Sequence, residues 1–252
     1  MNIQTALSFP FKDPNWITKL LIGGALSMVS LLPMACTILP GENAFIQIIT
    51  YLLFLVLMVV FLAPLGYAFN VLKGVQADQA PSVLPEWKDW NLFLMDGLKV
   101  FLVCLAYGLV VGMFNVLIGK IMSNIPVIGA VFSLLRIVIG ILFLLSGPFI
   151  GIALCKMASS GQILASFKVM EILNELKSKA AEYITVSLIL MGVMQIIKIS
   201  LGLDLYAYMA LARMFWRTTV NFPLVGLLTP FVMFWILIVT FRMYSEIYVK
   251  KS

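Results

Sequence analysis

The stretch FIQIITYLLFLVLMVVFLAPLGYAFNVL (45–72) holds no Asp, Glu, Lys or Arg in 28 residues. As a helix it would extend about 42 Å, more than the roughly 30 Å of hydrocarbon in a bilayer. Strands of soluble folds are far shorter, so the run reads as a membrane-crossing helix. Working outward, further apolar runs lie at 18–39, 98–118, 127–155, 181–200 and 222–247. Of 252 residues, 62% are apolar and 11% are charged, with a mean hydropathy of +1.07. A soluble domain carries about 25% charged residues, and a chain this apolar could neither cover a soluble surface nor stay disordered. The expected fold is all-α: a polytopic membrane bundle of six transmembrane helices in one domain over 1–252, with amphipathic helices at the cytoplasmic interface.

The charges orient this bundle. The outer gaps are nearly free of basic residues: Pro40–Asn43 has none, and 119–126 has Lys120 alone. The termini and the other gaps hold Lys12, Lys19, Lys73, Lys88, Lys99, Lys156, Lys168, Lys177, Lys179, Arg242, Lys250 and Lys251, which is 12 of the 17 positive residues. The positive-inside rule assigns that side to the cytoplasm. A multi-pass protein of the cell (inner or plasma) membrane with both termini cytoplasmic is therefore expected. The net charge of +6 is then explained by orientation and by anionic lipid, and no nucleic-acid partner is expected. The N-terminus lacks the short basic start of a signal peptide, so the first span is expected to be retained. One outer segment, 200–221, mixes Arg213 and Arg217 with Tyr206, Tyr208, Phe215 and Trp216, a composition suited to a helix in the head-group layer.

Three stretches share a layout of cytoplasmic amphipathic segment, span, outer turn and returning span. Their opening segments are SFPFKDPNW (8–16), LPEWKDWNLFLMDGLK (84–99) and ILASFKVMEILNELKSKAAEY (163–183). In the third, Ile163, Phe167, Met170, Leu173 and Leu176 fall on one helical face. Each returning span carries a proline, at Pro64, Pro148 and Pro230, which would bend it. This suggests a parallel threefold hairpin repeat over 1–74, 75–158 and 159–252. Gly108-x-x-x-Gly112 and Gly147-x-x-x-Gly151 would let helices approach closely, more readily within the bundle than between copies.

The segments SFPFKDPNW, GYAFNVLKG (66–74) and LPEWKDWNLFLMDGLK, with the ending FRMYSEIYVKK (241–251), resemble the prokaryotic membrane-protein family catalogued as domain of unknown function 4013. That resemblance implies an integral membrane protein with no established activity, and it transfers no catalytic residue.

Arg136, in LLRIVIG, would stand near the middle of the fourth span, where a charge costs several kcal/mol unless it snorkels or is paired. Asn70, Asn115 and Gln195 are its candidate partners, and together they form the candidate substrate path or intramembrane polar site. A candidate interfacial loop contains Glu86, Trp87, Asp89, Trp90 and Asp96. Capping and ion pairing at the membrane surface explain its carboxylates more simply than catalysis or a divalent cation. Asp13 could cap a helix starting at Pro14. The chain has no histidine, and its three cysteines are isolated in apolar runs. No catalytic, cofactor-binding or metal-binding residue is expected. The sequence favours a non-enzymatic scaffold or a subunit of a membrane complex, with membrane lipids and another membrane protein as its partners. A small-solute or lipid transporter using Arg136 is the first alternative, and an intramembrane lipid-modifying enzyme the second.

Overall fold

The computed structural model describes residues 3–36, 44–77, 83–124, 147–201 and 228–250. These residues are helical, with no strand among them. A short α1 (Ile3–Ser8) and a 3-10 helix (Phe9–Lys12) lead into α2 (Trp16–Cys36) and α3 (Ala44–Gln76). Next come α4 (Trp90–Asn124) and α5, described over 147–160. A second 3-10 helix (Ile163–Phe167), α6 (Val169–Ser178), α7 (Ala180–Leu201) and α8 (Thr229–Val249) complete the chain.

Among the described residues, three helical stretches are long and apolar enough to cross a membrane: Leu55–Gln76, Trp90–Val110 and Pro230–Val249. The expectation was six. Trp16–Val29 and Ala180–Val193 are apolar but shorter, about 21 Å each at 1.5 Å per residue. Most of the fourth expected run lies outside the described residues, as do Arg136 and 202–221. α4 also starts earlier than its apolar run, at Trp90. Asp96 therefore lies inside a helix, not in an aqueous loop.

Helix α3 is central, packing against α2, α4 and α8, while α2 and α7 also pack on α8. Its tightest neighbour is α4. A methyl group on Gly66 would overlap the Phe93 carbonyl, and one on Gly97 would overlap the Leu62 carbonyl. The two backbones therefore meet with no side chain between them, which only glycine permits. The spacing Gly108-x-x-x-Gly112 does not serve this purpose. A Cβ at either position would meet nothing within 4 Å, because that face of α4 points away from the described bundle. Gly151 does permit an approach, seating the Tyr244 ring of α8.

Two buried clusters fill the interior. The larger joins Leu65, Phe69 and Leu72 of α3 to Val100 and Val103 of α4, Ile152 and Cys155 of α5, Ile172 and Leu176 of α6, and Val239, Met243 and Ile247 of α8. The smaller gathers Phe9, Leu20, Tyr67, Val71, Leu84, Phe93, Phe234 and Ile238. The amphipathic face expected for 163–183 is thereby corrected. Ile172 and Leu176 turn inward, whereas Phe167 and Met170 are exposed. Phe167 ends the 3-10 helix, whose different step takes it off the α6 face, while Met170 is on the outer side of the first turn of α6. The prolines do not occupy one shared position either. Pro64 is inside α3, but Pro230 stands in the first turn of α8, where it removes no helical hydrogen bond.

The glycine crossing yields a direct comparison. Gly97→Ala should destabilise the folded protein by about 3 kcal/mol or more through forced overpacking. Gly108→Ala should change stability by less than about 1 kcal/mol. Unfolding in detergent measures both, and equal effects would contradict the close backbone contact.

Candidate functional site

The three motif segments converge at one end of the bundle. Asp13 is 1% exposed, in the turn between the first 3-10 helix and α2. Its Oδ1 accepts the Asn15 N–H at 2.7 Å, a local turn that directs the chain into α2. Helix α2 begins at Trp16, two residues after the expected Pro14 start. Oδ2 accepts the Lys19 ammonium and the Leu84 N–H, both at 2.8 Å. Lys19 donates further to the Leu84 carbonyl at 2.8 Å and pairs with Glu86 Oε1 at 2.7 Å. All three donors of this buried ammonium are used. Burial disfavours the charge on Asp13, but Lys19 and the two backbone N–H groups outweigh it and hold the carboxyl below its ordinary pKa of 3.8.

An aromatic stack closes over this ion pair. The Tyr67 hydroxyl donates to the Pro85 carbonyl at 2.8 Å, and Trp87 Nε1 donates to the Lys19 carbonyl at 3.1 Å. The Tyr67 and Trp87 rings stack at 4.3 Å, and Trp90 lies against Trp87 at 5.4 Å. Phe93 and Phe234 pack around them. Such ring pairs contribute about 0.5–1.5 kcal/mol each beyond area burial. The segment 83–89 is thus strapped to α2 and α3 by both faces of its backbone.

A second node lies one turn beyond the glycine crossing. Asp96, also 1% exposed, pairs with Lys73 at 2.6 Å and Lys99 at 3.3 Å. It also accepts Asn70 Nδ2 at 3.2 Å, and Asn70 donates to the Gly66 carbonyl of its own helix. At the C-terminus of α8, the Lys179 ammonium donates to the carbonyls of Ile247 and Tyr248, both at 3.2 Å. A cation there complements the negative end of the helix dipole. Arg242 pairs with Glu246 at 2.8 Å and covers the Phe9 ring at 3.8 Å, and Lys250 reaches Glu182 at 2.7 Å. The N-terminal segment, the 83–89 segment, Lys179 and the end of α8 therefore meet at the same end of the bundle.

The residues singled out from sequence are divided among these nodes. Asn70 joins Asp96, and Glu86 and Trp87 join Lys19. Trp90 extends the stack, while Asp89 is exposed and its carbonyl accepts the Phe93 N–H. Arg136 lies outside the described residues. Asn115 and Gln195 fall in α4 and α7, with their side chains outside the description. No group of three His, Cys, Asp or Glu residues among the described ones could hold a metal. Sequence reading missed that Asp13, Lys19 and Tyr67 form the hub. Two signals pointed there: a lysine at the edge of an apolar run needs a partner, and the Lys-Asp pair ahead of a tryptophan occurs in both loops that meet.

The fold and its clamp define an all-helical protein with helices of membrane-crossing length, tied at one end by buried ion pairs. Residues 49–206 match the model of a family described as a protein of unknown function (DUF4013), which is more than half the chain. The chain belongs to that family. The match includes GYAFNVLKG and LPEWKDW, while SFPFKDPNW and FRMYSEIYVKK lie beyond it. No match was found among curated proteins or solved structures.

The clamp predicts a non-additive cycle. Asp13→Asn leaves the buried Lys19 with only the half-exposed Glu86 as an ionic partner and should cost about 3 kcal/mol, whereas Asp13→Asn combined with Lys19→Met should recover much of that loss. Because the folded-state pKa of Asp13 is depressed, its contribution is complete above the ordinary value of 3.8 and disappears as pH falls through the lower folded-state value. Acid titration of stability should therefore flatten in Asp13→Asn. Additive single and double variants, or an unchanged acid limb, would contradict the clamp.

Proposed function

We propose that this is a multi-pass protein of the cell membrane that crosses it six times, with both termini and the lysine-rich connections in the cytoplasm. In this reading it works without catalysis, as a scaffold or subunit of a membrane complex. The apolar parts of α2 and α7 described above, with the helices running 21 and 22 residues in all, support counting them among the crossings in this reading. The gathering of Asp13, Lys19, the 83–89 segment, Lys179 and the end of α8 at one end agrees with the positive-inside assignment.

The observation that carries the complex-subunit reading is the open face of α4. Met95, Leu98, Leu102, Leu105 and Leu109 are all exposed. Their alternating spacing of three and four residues is that of a helix-pairing seam. The seam continues to Gly112, and Gly108 beside it is likewise open, so a partner backbone could approach closely. Met95 lies next to Asp96 and before Lys99, so this stripe begins among the polar nodes, where lipid tails alone would not cover it. The carboxylates favour structure over catalysis. Asp13, Asp96 and Glu171 are each engaged by lysine, which supports structural roles for these three carboxylates. The partner in this reading is a helix of another membrane protein, with membrane lipids around it.

A photo-activatable residue at Leu105, irradiated in native membranes, should yield one discrete protein adduct. Gly108→Leu should abolish that adduct while leaving stability within about 1 kcal/mol of the parent. Lipid adducts alone, or an adduct indifferent to Gly108→Leu, would refute a helix partner on this face.

A further inference from the structure

The segment after α5 does not lie flat on the bundle end. Gly161 has φ +71° and donates its N–H to the Met157 carbonyl at 2.9 Å. This left-handed cap reverses the chain. The following residues run back beside α5: Phe149 and Phe167 both pack on the Tyr107 ring, at 5.4 and 5.9 Å. The Tyr107 hydroxyl donates to the Ser166 carbonyl. Tyr107 is eight residues beyond Lys99 along α4, about 12 Å toward the middle of that helix. The return limb is α6, which climbs to Lys179 at the end of α8. Residues 161–170 thus form a hook dipping from the polar end toward the middle of the bundle.

The tip of this hook is apolar and uncovered. Leu164 and Met170 are 73% and 69% exposed, with Phe167 and Val169 exposed beside them. Four neighbouring apolar side chains facing water would be a costly surface. Phe167 sits directly on Tyr107, inside the membrane-length stretch Trp90–Val110, so the tip continues the apolar girdle of α4. Of the four lysines around it, Lys156 and Lys179 are part-buried in pairs with Glu171 and Glu175, while Lys168 and Lys177 are exposed, a net positive charge suited to lipid phosphate.

We infer that 161–170 is a re-entrant hook immersed in the leaflet on the basic side of the membrane, with its apolar tip among the acyl chains and Lys168 reaching the phosphates of anionic phospholipids. The inference rests on the membrane reading above and adds a specific lipid-contacting element to it. Immersion anchors the α5–α6 connection, and through Lys179 it fixes the end of α8.

Methionine oxidation by hydroxyl radicals tests this on the unmodified protein in phosphatidylcholine–phosphatidylglycerol vesicles, with a free methionine peptide as reference. Met170 and Met191, the latter exposed on α7, should both oxidise about tenfold more slowly than the peptide. Slow Met191 with peptide-like Met170 would overturn the hook alone; peptide-like rates at both would overturn the membrane reading itself. In a second arm, Phe167→Trp adds an indole at the tip, read as the difference from the parent in bromolipid quenching. Brominated phosphatidylglycerol should quench it about twofold more than brominated phosphatidylcholine, and Lys168→Gln should reduce that preference. A protected Met170 without quenching by either lipid would mean that a protein surface covers the tip, and would overturn the proposal. Equal quenching would overturn the anionic preference.

Discussion

Direct backbone contact between α3 and α4 at Gly66 and Gly97 is the constraint on which the polar end of the molecule depends. Without side chains between them, the helices come close enough for residues beside the glycines and up to two turns away to be paired by geometry. Asn70 and Lys73 then reach Asp96, and Tyr67 reaches Phe93 and Trp87. In hydrocarbon, apolar burial does little to drive helices together, so close packing and polar bonds supply the association. Both occur at this crossing.

The Asp13–Lys19 pair has a different role. An isolated buried charge would be prohibitive, yet each oxygen and ammonium proton here has a partner, three of them backbone groups of residues 15 and 84. Such a pair adds little net stability over an apolar substitute but tolerates few alternative arrangements. It fixes the register between the N-terminal segment and the 83–89 loop, and Tyr67 and Trp87 then lock the loop from the other side. With the loop held, the start of α4 is held too, and with it the direction of the open leucine face. In the proposed reading, the clamp would act indirectly, by fixing the direction of that face.

The hook and the α4 stripe lie on either side of Tyr107. Membrane lipid on one side and a partner helix on the other would meet the two exposed apolar surfaces of this region. Lys179 connects the hook to the end of α8, and α8 packs on α2 and α3.

The sequence by itself determined the all-helical character, the polar end of the bundle and the family, because apolar run length, lysine distribution and short motifs are local properties of the chain. It also singled out Asn70 for a polar path with Arg136 and Glu86, Trp87 and Asp96 for an interfacial loop, since polar groups beside membrane-length runs need partners. It could not say which partners. The Asp13–Leu84 bond joins residues 71 positions apart, and no periodicity encodes such a pairing. The glycines show the same limit. Gly97 and Gly108 differ little as letters, yet one faces the Leu62 backbone and the other faces outward, because the rotation of α4 is set by everything packed around it. The amphipathic face of 163–183 was misplaced for a related reason: a 3-10 segment changes the angular step per residue, and only its docking on Tyr107 reveals where that change occurs. The tertiary structure alone decided which polar groups meet and which apolar faces remain open.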